Sequence, residues 1–114
     1  LIQLGDSGGF ETTGYVGYGV RLGSTGGLYE AWSTGAAITN LVEAANLFSG
    51  SFTIQLLSSN LWVITGVGGV TNDTNRGLTM YGTKTLSDTL TQVRITTVGG
   101  TNTFDAGSIN ILYE

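Results

Sequence analysis

The sequence contains no histidine, no cysteine and no proline. Without histidine there is no Ser-His-Asp triad, no imidazole base and no His-ligated metal. Without cysteine there is no disulfide framework, no thiolate nucleophile and no Cys-type zinc site. A cysteine-free chain suits either redox state, so this absence does not locate the protein. Charge is also scarce. Charged residues make up 11% of 114 residues, with four Lys and Arg against eight Asp and Glu, a net charge of −4 and a pI near 4.4. The cations Arg21, Arg76, Lys84 and Arg94 are scattered singly. Nucleic-acid binding needs clustered cations that displace phosphate counterions, so no nucleic-acid partner is expected. No segment approaches the roughly 18 consecutive apolar residues of a spanning helix, so no membrane insertion is expected.

Glycine, threonine, serine and asparagine dominate what remains, with 19 glycines. Long surface helices normally carry many Glu and Lys residues, which are rare here. The chain is 40% hydrophobic and its mean hydropathy is +0.20, so there is apolar surface to bury. Short β-branched and aromatic runs between Gly/Asn/Asp/Ser clusters read as strands and turns. Period-two alternation supports this. Val16, Tyr18, Val20 and Leu22 share one face of a strand while Gly17, Gly19 and Arg21 share the other. Residues 51–58 alternate through Phe52, Ile54 and Leu56, and residues 61–65 are apolar on both faces, as in a central strand. Leu78 and Met80 suggest a shorter strand.

Residues 92–98 and 108–114 alternate through Val93 and Ile95, and through Ile109, Ile111 and Tyr113. The glycines in Val98-Gly99-Gly100-Thr101-Asn102 predict a hairpin joining them. Ser58-Ser59-Asn60 reads as a tight connection, and Gly68-Gly69 with Asn72-Asp73-Thr74-Asn75 as a longer loop. Leu41, Ala44, Ala45 and Phe48 instead match helical spacing, predicting one short helical turn over residues 40–48. The expected fold class is all-β: a single antiparallel β-sandwich over residues 1–114 with at most that one turn of helix. The chain opens on Leu1-Ile2-Gln3-Leu4, already strand-like and without a basic signal-peptide region. This suggests a trimmed chain or part of a longer one, with a strand upstream or a neighbouring chain in its place.

Candidate sites are few. Gly5-Asp6-Ser7-Gly8-Gly9 spells the surroundings of a trypsin-like serine nucleophile, but the required histidine base is missing, and Lys84 has no local signature of a lysine base. A turn with Asp and Ser bonding the backbone is the simpler reading. Asp6, Glu11, Glu30, Glu43, Asp73, Asp88, Asp105 and Glu114 offer no spacing that shows a catalytic pair. Residues 72–75 lack the acidic ligands of a calcium loop and read as a polar turn, with an N-x-T sequon at Asn72. No catalytic residue, metal or cofactor is expected. Tyr29 and Trp32, in the Gly/Ser/Thr-rich segment 23–35, are the candidate binding residues, for a sugar or another subunit. Anchoring to the core is the alternative for that loop, and Trp62, in an apolar strand, is expected in the core.

The N-terminal Leu1-Ile2-Gln3-Leu4-Gly5-Asp6-Ser7-Gly8-Gly9-Phe10-Glu11-Thr12-Thr13-Gly14-Tyr15 resembles the opening of a small β-sandwich module in phage virion proteins. Leu90-Thr91-Gln92-Val93-Arg94-Ile95, and Phe104-Asp105-Ala106-Gly107-Ser108-Ile109-Asn110-Ile111-Leu112-Tyr113-Glu114, look like the end of that module, which is found in phage structural and tail-fibre-like proteins. The resemblance implies a jelly-roll-like sandwich in a virion or extracellular assembly and implies no catalytic residues. With a free edge and few guarding charges, the expected partner is a copy of the chain itself, in a fibre, decoration or helical filament. A surface glycan or host receptor, met through Tyr29 and Trp32, is the alternative partner.

Overall fold

A computed structural model describes residues 1–23, 26–38, 45–72 and 76–113. Eight strands form among them: β1 (Ile2–Asp6), β2 (Gly9–Phe10), β3 (Val16–Gly23), β4 (Gly26–Glu30), β5 (Phe48–Ser58), β6 (Leu61–Val70), β7 (Gly77–Thr85) and β8 (Gln92–Ile95). They pair antiparallel in two sheets, ordered β2-β1-β8 and β4-β3-β7-β6-β5. The sheets pack through Ile2, Leu4 and Ile95 on one side and Ile64, Met80, Phe52 and Ile54 on the other. The expected antiparallel β-sandwich is therefore present. No helix occurs among the described residues.

Lateral burial explains why β1 is the most buried strand. Its inward row, Ile2 and Leu4, meets the core. Its opposite row is covered as well. Gln3 Nε2 donates to Thr34 O (2.6 Å), Arg94 Nε donates to Gln3 Oε1 (2.7 Å), and the Arg94 guanidinium stacks 4.2 Å from the Phe10 ring centroid. Residue Ala36 pairs with Ile2 through two 2.9 Å backbone bonds, which extends the small sheet on the β2 side. Ala37 and Ile38 then run across β3. A Cβ on Gly19 would sit 2.8 Å from Ala37 O and 3.0 Å from Ile38 O, so only glycine lets the two backbones approach this closely. Gly17 combines a φ of 148° with a space in which a Cβ would lie 2.2 Å from Tyr81 O.

That packing decides which face of β3 turns inward. The glycine face does. Val16, Tyr18 and Leu22, the apolar row of the pattern, are exposed on the outer face. Alternation marks β3 as a strand, but its direction is set by which row leaves room for residues 36–38.

Several expectations need correction. Phe48 opens β5 and does not close a helix; residues 40–44 lie outside the described residues, residue 45 is in a turn, and 46–47 have no regular structure. Gly68 and Gly69 belong to β6, not to a loop. Phe48 and Phe52 stack at 5.9 Å and lay their rings over Gly68 and Gly66, where a Cβ would stand 2.6 Å and 2.2 Å from ring carbons. The glycines thus act as seats for aromatic side chains on the next strand. The strand through Leu78 and Met80 is not short: β7 runs nine residues in the sheet interior. Ser59 takes φ 48° in the tight β5–β6 turn, as the sequence suggests, and β6 is a central strand.

The largest correction concerns the C-terminal hairpin. The Gly99-Gly100 turn forms, with both glycines at positive φ and Gly100 N donating to Thr97 O at 3.1 Å. Residues 108–113 nevertheless form no strand, and β8 pairs with β1 instead. A turn sequence fixes local geometry only. Strand pairing also needs an apolar face covered from the opposite side, a non-local condition that the turn cannot supply.

Candidate functional site

Three places in the fold concentrate side-chain chemistry. The first joins the β1–β2 turn to the end of β7. Ser7 and Gly8 form the two-residue loop between the paired Asp6 and Gly9, and Asp6 Oδ1 accepts from Gly8 N at 2.8 Å. The Gly-Asp-Ser-Gly-Gly motif is thus a carboxylate-stabilised turn with Ser7 exposed. Asp6 Oδ2 lies 2.6 Å from Ser87 Oγ, whose single hydrogen is shared with Glu11 Oε1 at 2.9 Å. Ser87 N donates to the same Glu11 oxygen at 2.7 Å, and Lys84 Nζ pairs with Glu11 Oε2. Lys84 also stands 5.5 Å from the Tyr15 ring centroid.

This arrangement brings two carboxylates within reach of one hydroxyl, a juxtaposition the sequence spacing did not reveal. Its electrostatics suit anchoring. The bond from Lys84, reinforced by the Ser87 amide, lowers the Glu11 pKa to about 2. A carboxyl held ionised at neutral pH cannot donate a proton there. Lys84 is buried and its ammonium is paired with Glu11.

Tyr15 forms the second part of this anchor. Its Oη accepts from Leu4 N at 2.7 Å and donates to Glu11 O at 3.1 Å, while Leu4 O is 3.4 Å away. The ring is buried, and burial raises the phenol pKa. Tyr15 therefore pins the chain entering β3 onto β1.

The second place is a shallow open groove of about 410 Å³ lined by Tyr15, Val16, Gly17, Ala31, Trp32 and Ser33. Trp32 is half-buried in its wall, whereas Tyr29 projects from β4 on the outer face of the large sheet, 80% exposed. The structure does not bring these two residues into one site. Trp62, expected in the core, is partly buried and packs against the core from its margin, with its Nε1 buried and without a hydrogen-bond partner among the described residues.

The third place is that outer face. The strand registers align Tyr29 with Val20, Thr79 and Val67, then Tyr18 with Tyr81 and Thr65, then Val16 with Thr83, Val63 and Gln55. No Asp, Glu, Lys or Arg falls in these rows. Val16, Tyr18, Leu22, Tyr29, Val67 and Tyr81 are all exposed on it.

No group of three or more metal-ligating side chains occurs among the described residues. Asn72 clamps its loop, accepting from Leu47 N at 2.8 Å and donating to Ala45 O at 2.7 Å; residues 73–75 of the calcium-like stretch lie outside the described residues. Among the described residues no helix is long and apolar enough to cross a membrane. Sequence reasoning missed Asp6, Glu11, Lys84 and Ser87 as a cluster. One signal was available: Lys84 continues the buried alternation Leu78, Met80, Gly82, and a lysine in a core row needs a carboxylate partner. Comparison with family models, with curated proteins and with solved structures finds no match to this chain.

Proposed function

We propose that this chain is a non-enzymatic structural subunit of a homo-oligomeric assembly, built through the faces and edges of its sheets. The observation that carries the reading is the uncharged outer face of β4-β3-β7-β6-β5, with its exposed Tyr18, Tyr81, Tyr29, Val16 and Val67. Contiguous apolar patches beyond a few hundred Å² are rare on monomers and mark interaction surfaces. Surface area points the same way. The chain exposes 7404 Å². A compact monomer of 11.9 kDa exposes about 6,000 Å², so the excess is about 1,400 Å². A standard interface buries about 800 Å² per partner, so contacts on two sides would absorb that excess. The β5 edge adds to this, with eleven residues and no charge or proline to discourage pairing.

Placement in a virion or extracellular assembly, as a phage fibre, decoration or helical filament, is supported by the resemblance of the two chain ends. Native mass spectrometry of the wild-type chain and Tyr81→Lys tests the assembly reading. Oligomers in the wild type that weaken in the variant support it. A wild-type chain that stays monomeric at high concentration overturns it.

A second reading, attachment to a surface glycan, draws on the groove lined by the half-buried Trp32, because an indole face stacks on sugar rings. Glycan-array binding lost in Trp32→Ala supports it; binding that is absent or unchanged removes Trp32 from the role.

A further inference from the structure

Strand β8 is the edge of the small sheet, and the orientation of its free backbone groups can be deduced. Leu4 spends its N–H on Tyr15 Oη and its C=O on Glu11 N, both on the side of β1 away from β8. Ile2 spends both groups on Ala36, on that same side. Leu4 and Ile2 are the register partners of Val93 and Ile95. In an antiparallel ladder such positions are the non-hydrogen-bonded pairs, so Val93 and Ile95 also direct N–H and C=O away from β1. The outer edge of β8 thus presents two unpaired donor–acceptor sets among the described residues. The side chains of Val93 and Ile95 share the inward face with Leu4 and Ile2, yet Val93 is exposed.

The apolar surface beside this edge is half covered. Residues 36–38 extend the small sheet over β3 and β7, which leaves β8 on the side of β6 and β5. There the inward row of β5, Phe48, Phe52 and Ile54, is only partly buried, and Leu56 in the same row is exposed. Three strands do not span five.

A strand that fits lies in the same sequence. Residues 108–113 alternate Ile109, Ile111 and Tyr113 with Ser108, Asn110 and Leu112, a strand with one apolar row. Among the described residues this segment enters no ladder, and Leu112 and Tyr113 are 88% and 93% exposed. An exposed row of this kind beside an unpaired edge matches the two halves of a strand-addition contact.

We infer that residues 108–113 of one copy add as a fourth strand along the outer edge of β8 in a second copy. Ile109, Ile111 and Tyr113 then lie on the inward face beside Val93 and Ile95 and close the sandwich over the inward row of β5. Asn110 and Leu112 join Gln92 and Arg94 on the opposite face. Donor segment and acceptor edge are different surfaces of the chain, so the contact is head-to-tail and propagates as a ring or filament unless two copies exchange segments reciprocally. This inference rests on the assembly reading above and names its joint.

Complementation tests it. The donor variant is Ile109→Asp with Ile111→Asp, in a segment that takes no part in the folded sandwich. The acceptor variant is Val93→Pro, which removes an outward N–H and leaves the β1 ladder intact. Val93→Lys replaces it if the proline variant does not fold, as judged by its thermal melt. The three chains are compared in a Tyr81→Lys background, so that outer-face contacts do not contribute; by native mass spectrometry the parent is expected to form oligomers and each variant to be monomeric. An equimolar mixture is expected to give heterodimers and nothing larger, because one donor and one acceptor remain. Oligomers that persist in the donor variant, or a mixture that stays monomeric, overturn the inference and leave the assembly reading standing. A monomeric wild type overturns both.

Discussion

Replacing Tyr15 with phenylalanine removes one oxygen and keeps the ring. That oxygen accepts from Leu4 N at 2.7 Å and donates to Glu11 O at 3.1 Å. Leu4 is fully buried in the central strand of the small sheet, so its amide has no route to water once the phenol is gone. Glu11 is only half-buried, and water can reach its carbonyl. The cost is then that of one orphaned buried amide, about 1–3 kcal/mol. In a domain with a total stability of about 5–15 kcal/mol this is a large fraction. For a chain of this length it corresponds to a fall in Tm of roughly 4–12 °C. Urea unfolding followed by tryptophan fluorescence reads the effect through Trp32 and Trp62. The expected result is a lower midpoint with an unchanged slope, and Tyr29→Phe, on an exposed ring, should lie within about 0.5 kcal/mol of wild type. A Tyr15→Phe midpoint equal to that of Tyr29→Phe would refute the role given to this hydroxyl.

Gly19→Ala should destabilise by about 1–3 kcal/mol, because its Cβ meets the backbone of residues 37 and 38, whereas Gly77→Ala, with nothing within 4 Å, should not; paired thermal melts compare them. Glu11→Gln should cost about 2–4 kcal/mol at neutral pH by leaving Lys84 buried without its carboxylate, measured by urea unfolding. The folded pKa of Glu11 lies near 2, below its ordinary 4.5. Its contribution is therefore fully present above about pH 4.5 and is lost as pH falls towards 2, and Glu11→Gln should flatten the acid limb of the stability profile in that window. Tyr18→Lys, on the outer face, should lower oligomer mass without lowering the monomer's melting temperature.

Alternation was enough to read the all-β class and most strands, because a strand half-buried in a sandwich writes its two faces into every second residue. Which face points inward was not legible for β3. The pattern separates an apolar row from a glycine row without saying which is inward, and it is the glycine row that lies under residues 36–38. Glycines at 66 and 68 were equally ambiguous: they mark turns when isolated and ring seats when an aromatic stands across the ladder, and only register separates the cases. The Asp6–Glu11–Lys84–Ser87 anchor links residues from opposite ends of the chain, and no local pattern encodes that meeting. Tyr29 and Trp32 were close in sequence but part onto different surfaces, because β4 ends at Glu30 between them.

The self-association at the centre of this reading is tested most directly by sedimentation of the unmodified chain over a wide concentration series. The weight-average mass should rise with concentration well beyond 11.9 kDa and fall back when charge is placed on the outer face or the tail. A single species at the mass of one chain throughout the series would contradict it.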